Sequence, residues 1–321
     1  MSTDRRAVLA GAAAASLTAF APGARAAPDG PIATTRYGKI RGAEIDGIKV
    51  FKGVRYGAGT APRRFRPALP PEPWTGVADA LAYGPASPQL KTTEAVSEDC
   101  LFLNVWTPGL DGKKRPVMVY VHGGAHASGS GSDPLYDGVN LARRGDVVVV
   151  TVNHRLNVFG YCYLAELCGP DLADSGNVGN LDLVMALEWV RDNIAAFGGD
   201  PGNVTAFGQS GGGAKVVTMM AMPVAKGLFH KAATMSGQHV TAMGPIHATI
   251  RARTFMEPLG LRPDQVDVLR ALPAERLVAA LKTPDPLERK GSILFWSVMD
   301  GGVLPRHPFY PDAPRQSADI P

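Results

Sequence analysis

The stretch Gly208-Gln209-Ser210-Gly211-Gly212 decides how this chain folds. It has the form G-x-S-x-G and lies between an apolar run at 204–207 and a helical segment at 213–222. A strand-to-helix turn of this kind is tight, so its flanking positions need minimal side chains, and it raises the serine hydroxyl at the edge of the sheet. The chain holds 37 glycines, so the pattern also arises by chance and its surroundings have to support it.

Strands and helices alternate around this turn. Short apolar runs rich in β-branched residues predict strands at 101–106, 117–121, 147–152 and 232–236, and residues 181–197 have helical spacing. Such alternation is typical of an α/β fold with a mostly parallel central sheet and helices on both faces. We find no internal repeat and no linker that would divide the chain after its first 26 residues.

The region ahead of the sheet is rich in turns. Residues 32–56 alternate short β-rich pieces with glycine turns and predict an antiparallel entry sheet. Residues 62–88 are rich in proline, which excludes long helices and central strands. Arg63, Arg64 and Arg66 lie in this segment, and we expect them on a solvated face rather than in a binding patch.

A second glycine-rich loop, His122-Gly123-Gly124-Ala125, directly follows the predicted strand at 117–121. Glycines let the backbone approach a substrate oxygen without obstruction by a Cβ atom. We expect the N–H groups of Gly124 and Ala125, together with that of Gly211, to form an oxyanion hole beside Ser210. A flexible surface turn is the alternative interpretation, and the serine turn argues against it.

Further segments resemble the type B carboxylesterases and cholinesterases, a family with the α/β-hydrolase fold. They are Ser97-Glu98-Asp99-Cys100-Leu101-Phe102-Leu103-Asn104-Val105, Asn153-His154-Arg155-Leu156 with Phe159-Gly160, Phe197-Gly198-Gly199-Asp200-Pro201 leading through Val204-Thr205 to Ser210, and Gly227-Leu228-Phe229-His230-Lys231. The resemblance runs from about Thr34 to Pro321. It implies a serine esterase that cleaves a small-molecule carboxylic ester through an acyl-enzyme on Ser210, with no cofactor and no metal. It also implies that Arg155 and Asp182 form a structural salt bridge.

The site departs from the family pattern at three positions. Ala125 stands where the family has a third glycine, so the N–H donor is expected to remain while the pocket narrows. Gln209 replaces a glutamate, which we expect to remove a buried charge. Gly211 replaces the usual alanine after the nucleophile.

Two further departures concern the segment before residue 100. Cys100 resembles a half-cystine, but Ser87 occupies the expected partner position, so we expect no bridge. No tryptophan lies between Trp74 and Cys100. Cholinesterases use an aromatic residue in this loop to hold a quaternary ammonium by cation–π attraction. Choline esters are therefore not expected as substrates.

The acid and the histidine of the triad are expected to be absent from this chain. The resemblance places both beyond Pro321, together with the last strands of the sheet. Surface or capping roles are predicted for all seven histidines, and His239 is the least unsuitable substitute for the missing base. His122 and His126 lie in a loop rather than on one helix face, so we expect no zinc pair there. Two hypotheses remain: an incomplete serine carboxylesterase, or a non-catalytic fragment or binding remnant of one.

The start of the chain predicts export. Arg5-Arg6 precedes an alanine-rich run at 7–21, and Ala24-Arg25-Ala26 fits a signal cleavage site. The paired arginines favour a twin-arginine signal over residues 1–26, with an ordinary secretory signal or a misassigned start as alternatives. The hydrolase domain then spans 27–321, in the periplasm or secreted, and no later segment is apolar enough to cross a membrane. A net charge of +4 over 321 residues gives no indication of nucleic-acid binding.

Overall fold

The structure of the protein, a computed structural model, describes residues 30–321. The predicted export signal at 1–26 lies outside the described residues. Within them, no helix is long and apolar enough to cross a membrane.

Ten strands form two sheets within residues 30–321. The strands are β1 (Ile32–Thr34), β2 (Lys39–Arg41), β3 (Ala43–Ile45), β4 (Ile48–Arg55), β5 (Val77–Asp79), β6 (Phe102–Thr107), β7 (Arg115–Val121), β8 (Val148–Val152), β9 (Gly199–Gln209) and β10 (Lys231–Met235). The small sheet has the order β1-β2-β5, and the seven-stranded sheet has the order β10-β9-β7-β8-β6-β4-β3. Strands β8, β7, β9 and β10 run parallel, and β6, β4 and β3 extend the sheet with antiparallel pairs.

The centre of the sheet follows from its composition. All five residues of β8 are valine or threonine, and all five are buried. Such a strand fits a position that is covered on both faces. The antiparallel entry predicted for 32–56 is confirmed by the pairs β1/β2 and β3/β4, although these pairs belong to different sheets.

Eight α-helices accompany the strands in the described part of the chain. They are α1 (Val139–Gly145), α2 (Asn157–Tyr161), α3 (Ala165–Cys168), α4 (Val178–Asn193), α5 (Gly211–Met220), α6 (Pro245–Met256), α7 (Val266–Ala271) and α8 (Ala274–Ala280). Helices α4 and α5 pack on the face of the sheet that carries Val150, whereas α1 packs with Val149 and Trp106 on the opposite face. Helices therefore cover both faces, as predicted.

A second apolar cluster joins the proline-rich segment to the C-terminal helices. Phe65 and Phe159 pack there with Phe255 of α6. Arg64 lies against the same helices, and its guanidinium pairs with Glu98 and donates to the carbonyl oxygens of residues 269, 270 and 272. The prediction of a solvated face was wrong for Arg64, which is buried because the Glu98 carboxylate and backbone carbonyls together satisfy its donors.

Arg155 and Asp182 form the predicted salt bridge in the core. Arg155 Nη2 lies 2.6 Å from one carboxylate oxygen of Asp182, and Nε lies 2.8 Å from the other. Both side chains are buried, and the backbone N–H of Arg155 donates to the same carboxylate. The pair ties the end of β8 to α4, and bidentate geometry with extra hydrogen bonds is what a buried ion pair requires.

Candidate active site

Ser210 lies where the sequence predicts: it is the single residue between β9 and α5. Its backbone has φ +56° and ψ −123°, a region that side-chain-bearing residues rarely occupy. The N–H of Ser210 donates to the carbonyl of Met235 on β10, and its carbonyl accepts from Ala214. The turn is thus held by the neighbouring strand and by the first turn of the helix.

Three glycines make this turn sterically possible. A Cβ atom at Gly208 would meet the backbone of Gly212, and one at Gly212 would meet the carbonyl oxygen of Val121 on β7. A Cβ atom at Gly237 would overlap the carbonyl oxygen of Ser210. The nucleophile turn is therefore packed backbone against backbone, which explains the small residues around the serine.

The glycine-rich loop at 122–125, the predicted oxyanion loop, packs directly against this turn. A Cβ atom at Gly123 would lie 3.5 Å from Cβ of Ser210. The carbonyl of Gly124 turns away to accept from the N–H groups of Ala127 and Ser128. Because a trans peptide directs its N–H opposite to its carbonyl, the N–H of Ala125 points to the other side of the loop. Among the described residues, no acceptor takes the N–H of Gly124 or Ala125.

Ala125 and Gly211 are in contact. Ala125 has φ +54°, and a Cβ atom at Gly211 would lie 2.5 Å from Cα of Ala125. The two departures from the family pattern therefore face each other: the loop gained a Cβ at 125, and the helix start has none at 211. The N–H of Gly211 belongs to the first turn of α5, where helix N–H groups have no intrahelical partner. It lies beside the loop that carries the other two predicted donors.

Gln209 differs from the expectation. The sequence predicted that this residue replaces a buried charge, but Gln209 is exposed in this structure. The prediction of burial was wrong: Gln209 is the exposed last residue of β9, and its side-chain Oε1 lies near Gly123.

The histidines also differ from the expectation. His122, His126 and His154 are at most 2% exposed, so the predicted surface or capping roles were wrong for these three. His239 is exposed, and its ring lies 5.1 Å from that of Trp296. Within residues 30–321, no histidine hydrogen-bonds to the hydroxyl of Ser210.

Comparison with known proteins identifies the family. The sequence model of the Carboxylesterase family matches residues 29–319. The chain belongs to the carboxylesterase family.

Its relatives include a para-nitrobenzyl esterase of Bacillus subtilis, 42% identical over 301 residues, which cover 90% of this chain and 61% of the relative. A phenmedipham hydrolase of Pseudarthrobacter oxydans is 39% identical over 87% of this chain and 58% of the relative. The crystal structure of a Geobacillus stearothermophilus carboxylesterase superposes with a TM-score of 0.84 at 43% identity and covers 90% of this chain and 60% of that one. The chain thus spans about 60% of the length of the relatives it matches.

The sequence analysis missed Lys215 of α5. This lysine is fully buried, and its Nζ donates to the carbonyl oxygens of Ala125 at 2.8 Å and His122 at 3.4 Å. Burial lowers the pKa of Lys215 to about 7. The only signal in the sequence is a single lysine inside a helix of otherwise small and apolar residues, one helical turn after Gly211.

The three buried histidines surround this lysine. Burial, aided by the charge of Lys215, lowers the pKa of His122 to about 3 and lowers the pKa of His126 and His154 well below the ordinary value. The rings of His122 and His154 lie 4.7 Å apart. These histidines are therefore neutral at pH 7, and none of the three touches the nucleophile.

Two cavities in the described part of the protein differ in their position relative to Ser210. One of about 270 Å³ lies behind the oxyanion loop, between His126, His239 and Trp296. Another of about 850 Å³ lies between the segment 88–99 and α8, and neither Ser210 nor the predicted donors line it. Ser210 and the predicted donors do not line the smaller cavity either, but it lies nearer to them because His126 in its wall directly follows Ala125.

The predicted absence of a disulfide at Cys100 is confirmed. All three cysteines are free thiols. Ser87 lies beside the buried Cys100 thiol, so the serine does occupy the partner position that the sequence indicated.

The contact between Ala125 and Gly211 predicts coupled substitutions. Gly211→Ala places a methyl group against the backbone of Ala125 and should lower the free energy of unfolding by about 1–3 kcal/mol. Ala125→Gly lets the loop backbone move away, so the double variant should recover at least about 0.5 kcal/mol relative to additivity. Urea unfolding of the four proteins measures the cycle. Strictly additive effects would show that the two positions do not constrain each other.

The buried histidines predict a loss of stability in mild acid. Their folded-state pKa values lie below the unfolded value near 6.5, so the unfolded chain binds more protons between pH 6.5 and about 3. The contribution of these histidines to the free energy of unfolding is therefore full above pH 6.5 and falls as the pH drops, by about 1.4 kcal/mol per pH unit for each histidine. Urea unfolding at pH 7, 6 and 5 measures the slope. His154→Phe should reduce it by about a third. A stability that stays flat from pH 6.5 to 5 would contradict this account.

Proposed function

We propose that this protein hydrolyses carboxylic esters through an acyl-enzyme on Ser210, with the N–H groups of Gly124, Ala125 and Gly211 as the oxyanion hole. The observation that carries this proposal is the packing of the strained Ser210 turn against a loop whose N–H groups have no protein acceptor. Folding alone requires neither feature, whereas acyl transfer requires both.

The chemistry follows in two steps. Ser210 Oγ attacks the ester carbonyl carbon and loses its proton to a base, and the carbonyl oxygen becomes an anion held by the N–H donors. The tetrahedral species collapses, the alcohol leaves with a proton, and the acyl group remains on Ser210 Oγ. Water then attacks the acyl carbon, and the acid is released. No step needs a cofactor or a metal.

Every proton transfer in this scheme needs a base. We propose that the triad acid and histidine are not among residues 30–321, because none of their histidines contacts Ser210. Without the base, the rate of turnover should fall by about a millionfold. The alternative function is a non-catalytic binding remnant. The lack of a histidine at Ser210 supports this alternative as well.

Substrates are proposed from the names of relatives. One relative is a para-nitrobenzyl esterase and another a phenmedipham hydrolase. Small aromatic esters are therefore suitable first probes, and p-nitrophenyl acetate combines a small acyl group with a good leaving group.

The purified 321-residue chain should be acylated by p-nitrophenyl acetate without being turned over. Added imidazole can take the proton from Ser210, but deacylation lacks a positioned base, so one acetyl group per chain should accumulate. Intact-protein mass spectrometry with and without imidazole measures this, and Ser210→Ala is the matched control.

The outcomes separate the hypotheses. Acetylation that disappears in Ser210→Ala supports the esterase site. No acetylation at any imidazole concentration would favour the binding remnant. Rapid Ser210-dependent turnover without imidazole would show that the base is present in this chain after all.

We also propose that the protein is exported through a twin-arginine signal at residues 1–26. Arg5-Arg6, the alanine-rich run and Ala24-Arg25-Ala26 support this proposal. The exported protein should begin near Ala27 by N-terminal sequencing, and Arg5→Lys with Arg6→Lys should retain it in the cytoplasm. Full export of that double variant would argue for an ordinary secretory signal.

A further inference from the structure

Lys215 has no role in the scheme above, yet it is the buried cation nearest to the oxyanion loop. It lies four residues after Gly211 on α5, so the two residues share one face of the helix, one turn apart. Within the described residues, no carboxylate forms a salt bridge with Lys215, whereas the buried Arg155 is paired with Asp182. A buried ammonium without a counter-ion is costly, so its hydrogen-bond partners need an explanation.

Those partners are the two ends of the oxyanion loop. Nζ lies 2.8 Å from the carbonyl oxygen of Ala125 and 3.4 Å from that of His122. The peptide units that carry the predicted donors, Gly124 and Ala125, lie between these two carbonyls. Fixing both ends of so short a segment also fixes the direction of the N–H groups within it.

We propose that Lys215 is the positioning residue of the oxyanion hole: its ammonium holds the carbonyls of His122 and Ala125 so that the N–H groups of Gly124 and Ala125 face the carbonyl of an ester bound at Ser210. The inference rests on the proposed function. Lys215 does not touch the substrate in this scheme, and it acts through the loop. The same helix begins with Ser210's neighbour Gly211, so α5 positions the nucleophile and the hole together.

The loop needs such support because of its conformation. Gly124 and Ala125 both have positive φ, and for Ala125 this conformation is strained. The carbonyl oxygen of Ala125 is the one that Lys215 holds at the shorter distance. A charge-assisted hydrogen bond is about twice as strong as a neutral one, so the ammonium stabilises the strained residue directly.

The groups around Lys215 leave it as the one cation of the cluster. His122 and His126 face it from the loop and His154 from the end of β8, and all three are neutral near pH 7. His239, which follows β10, lies beyond His126. Since the pKa of Lys215 is about 7, the ammonium loses its proton above that pH, and its hydrogen bonds to the loop carbonyls weaken.

Amide hydrogen exchange tests whether Lys215 holds the loop, and it does not require catalytic turnover. The N–H groups of Ala127 and Ser128 donate to the carbonyl of Gly124, so their exchange reports whether the loop is closed. Lys215→Met keeps the volume and removes the charge, and it should raise exchange at these amides at least about tenfold. The exposed Lys226→Met is the matched control and should change nothing. In the wild type, exchange corrected for its intrinsic pH dependence should rise between pH 6 and 9, and this step should be absent in Lys215→Met.

Acylation tests the positioning. In the imidazole assay, Lys215→Met should slow acetylation of Ser210 at least about tenfold, and Lys226→Met should not. Unchanged exchange in Lys215→Met would overturn the inference, and so would a loosened loop with unchanged acetylation, which would make Lys215 a structural support only. If Lys215→Met does not fold, the wild-type exchange step decides, because it needs no substitution. If the wild type is not acetylated at all, the proposed function fails. Hydrogen exchange still shows in that case whether Lys215 holds the loop.

Discussion

The site depends on the close approach of two backbone turns that leave no room for a Cβ atom between them. Gly208, Gly212 and Gly237 allow the Ser210 turn to pack against β7 and the segment after β10, and Gly211 allows the oxyanion loop to pack against the helix start. Two residues with side chains, Ser210 and Ala125, take positive φ to complete the arrangement. Such conformations cost about 1–3 kcal/mol each and persist only where the surrounding structure imposes them. Here the surrounding structure is the parallel sheet, in which β9 is paired on both sides.

Much of this framework could be predicted from the sequence because its signals are local. The valine-rich run of β8 and the apolar run of β7 predict these strands directly, and the glycines around Ser210 predict the turn. The ends of elements were less predictable. Helix α4 begins at Val178 rather than 181, and β9 begins at Gly199 rather than 204 because Gly199 pairs with Arg115 on β7, far away in the chain.

Two of the buried charges could not be predicted, and the reason is physical. Lys215 is satisfied by carbonyl oxygens and Arg64 partly so, and carbonyl oxygens are carried by every residue and marked by no sequence pattern. Arg155 was predictable because its partner is a side chain, Asp182, at a position that the family resemblance indicates. Burial of His122, His126 and His154 was missed for a related reason. A neutral imidazole packs like an aromatic ring, as the contact between His126 and Tyr161 shows.

The distribution of charge bears on the proposed acyl-transfer site. Lys215 lies beneath the oxyanion loop with no carboxylate of residues 30–321 in a salt bridge with it, and Gln209 beside Ser210 adds no negative charge. A cation near the loop stabilises an anion that forms on the substrate, and the same cation disfavours a second positive charge nearby. Its field lowers the pKa of His122, His126 and His154 further than burial alone. In the proposed mechanism, the interior that favours the oxyanion therefore disfavours the imidazolium that a general base must become.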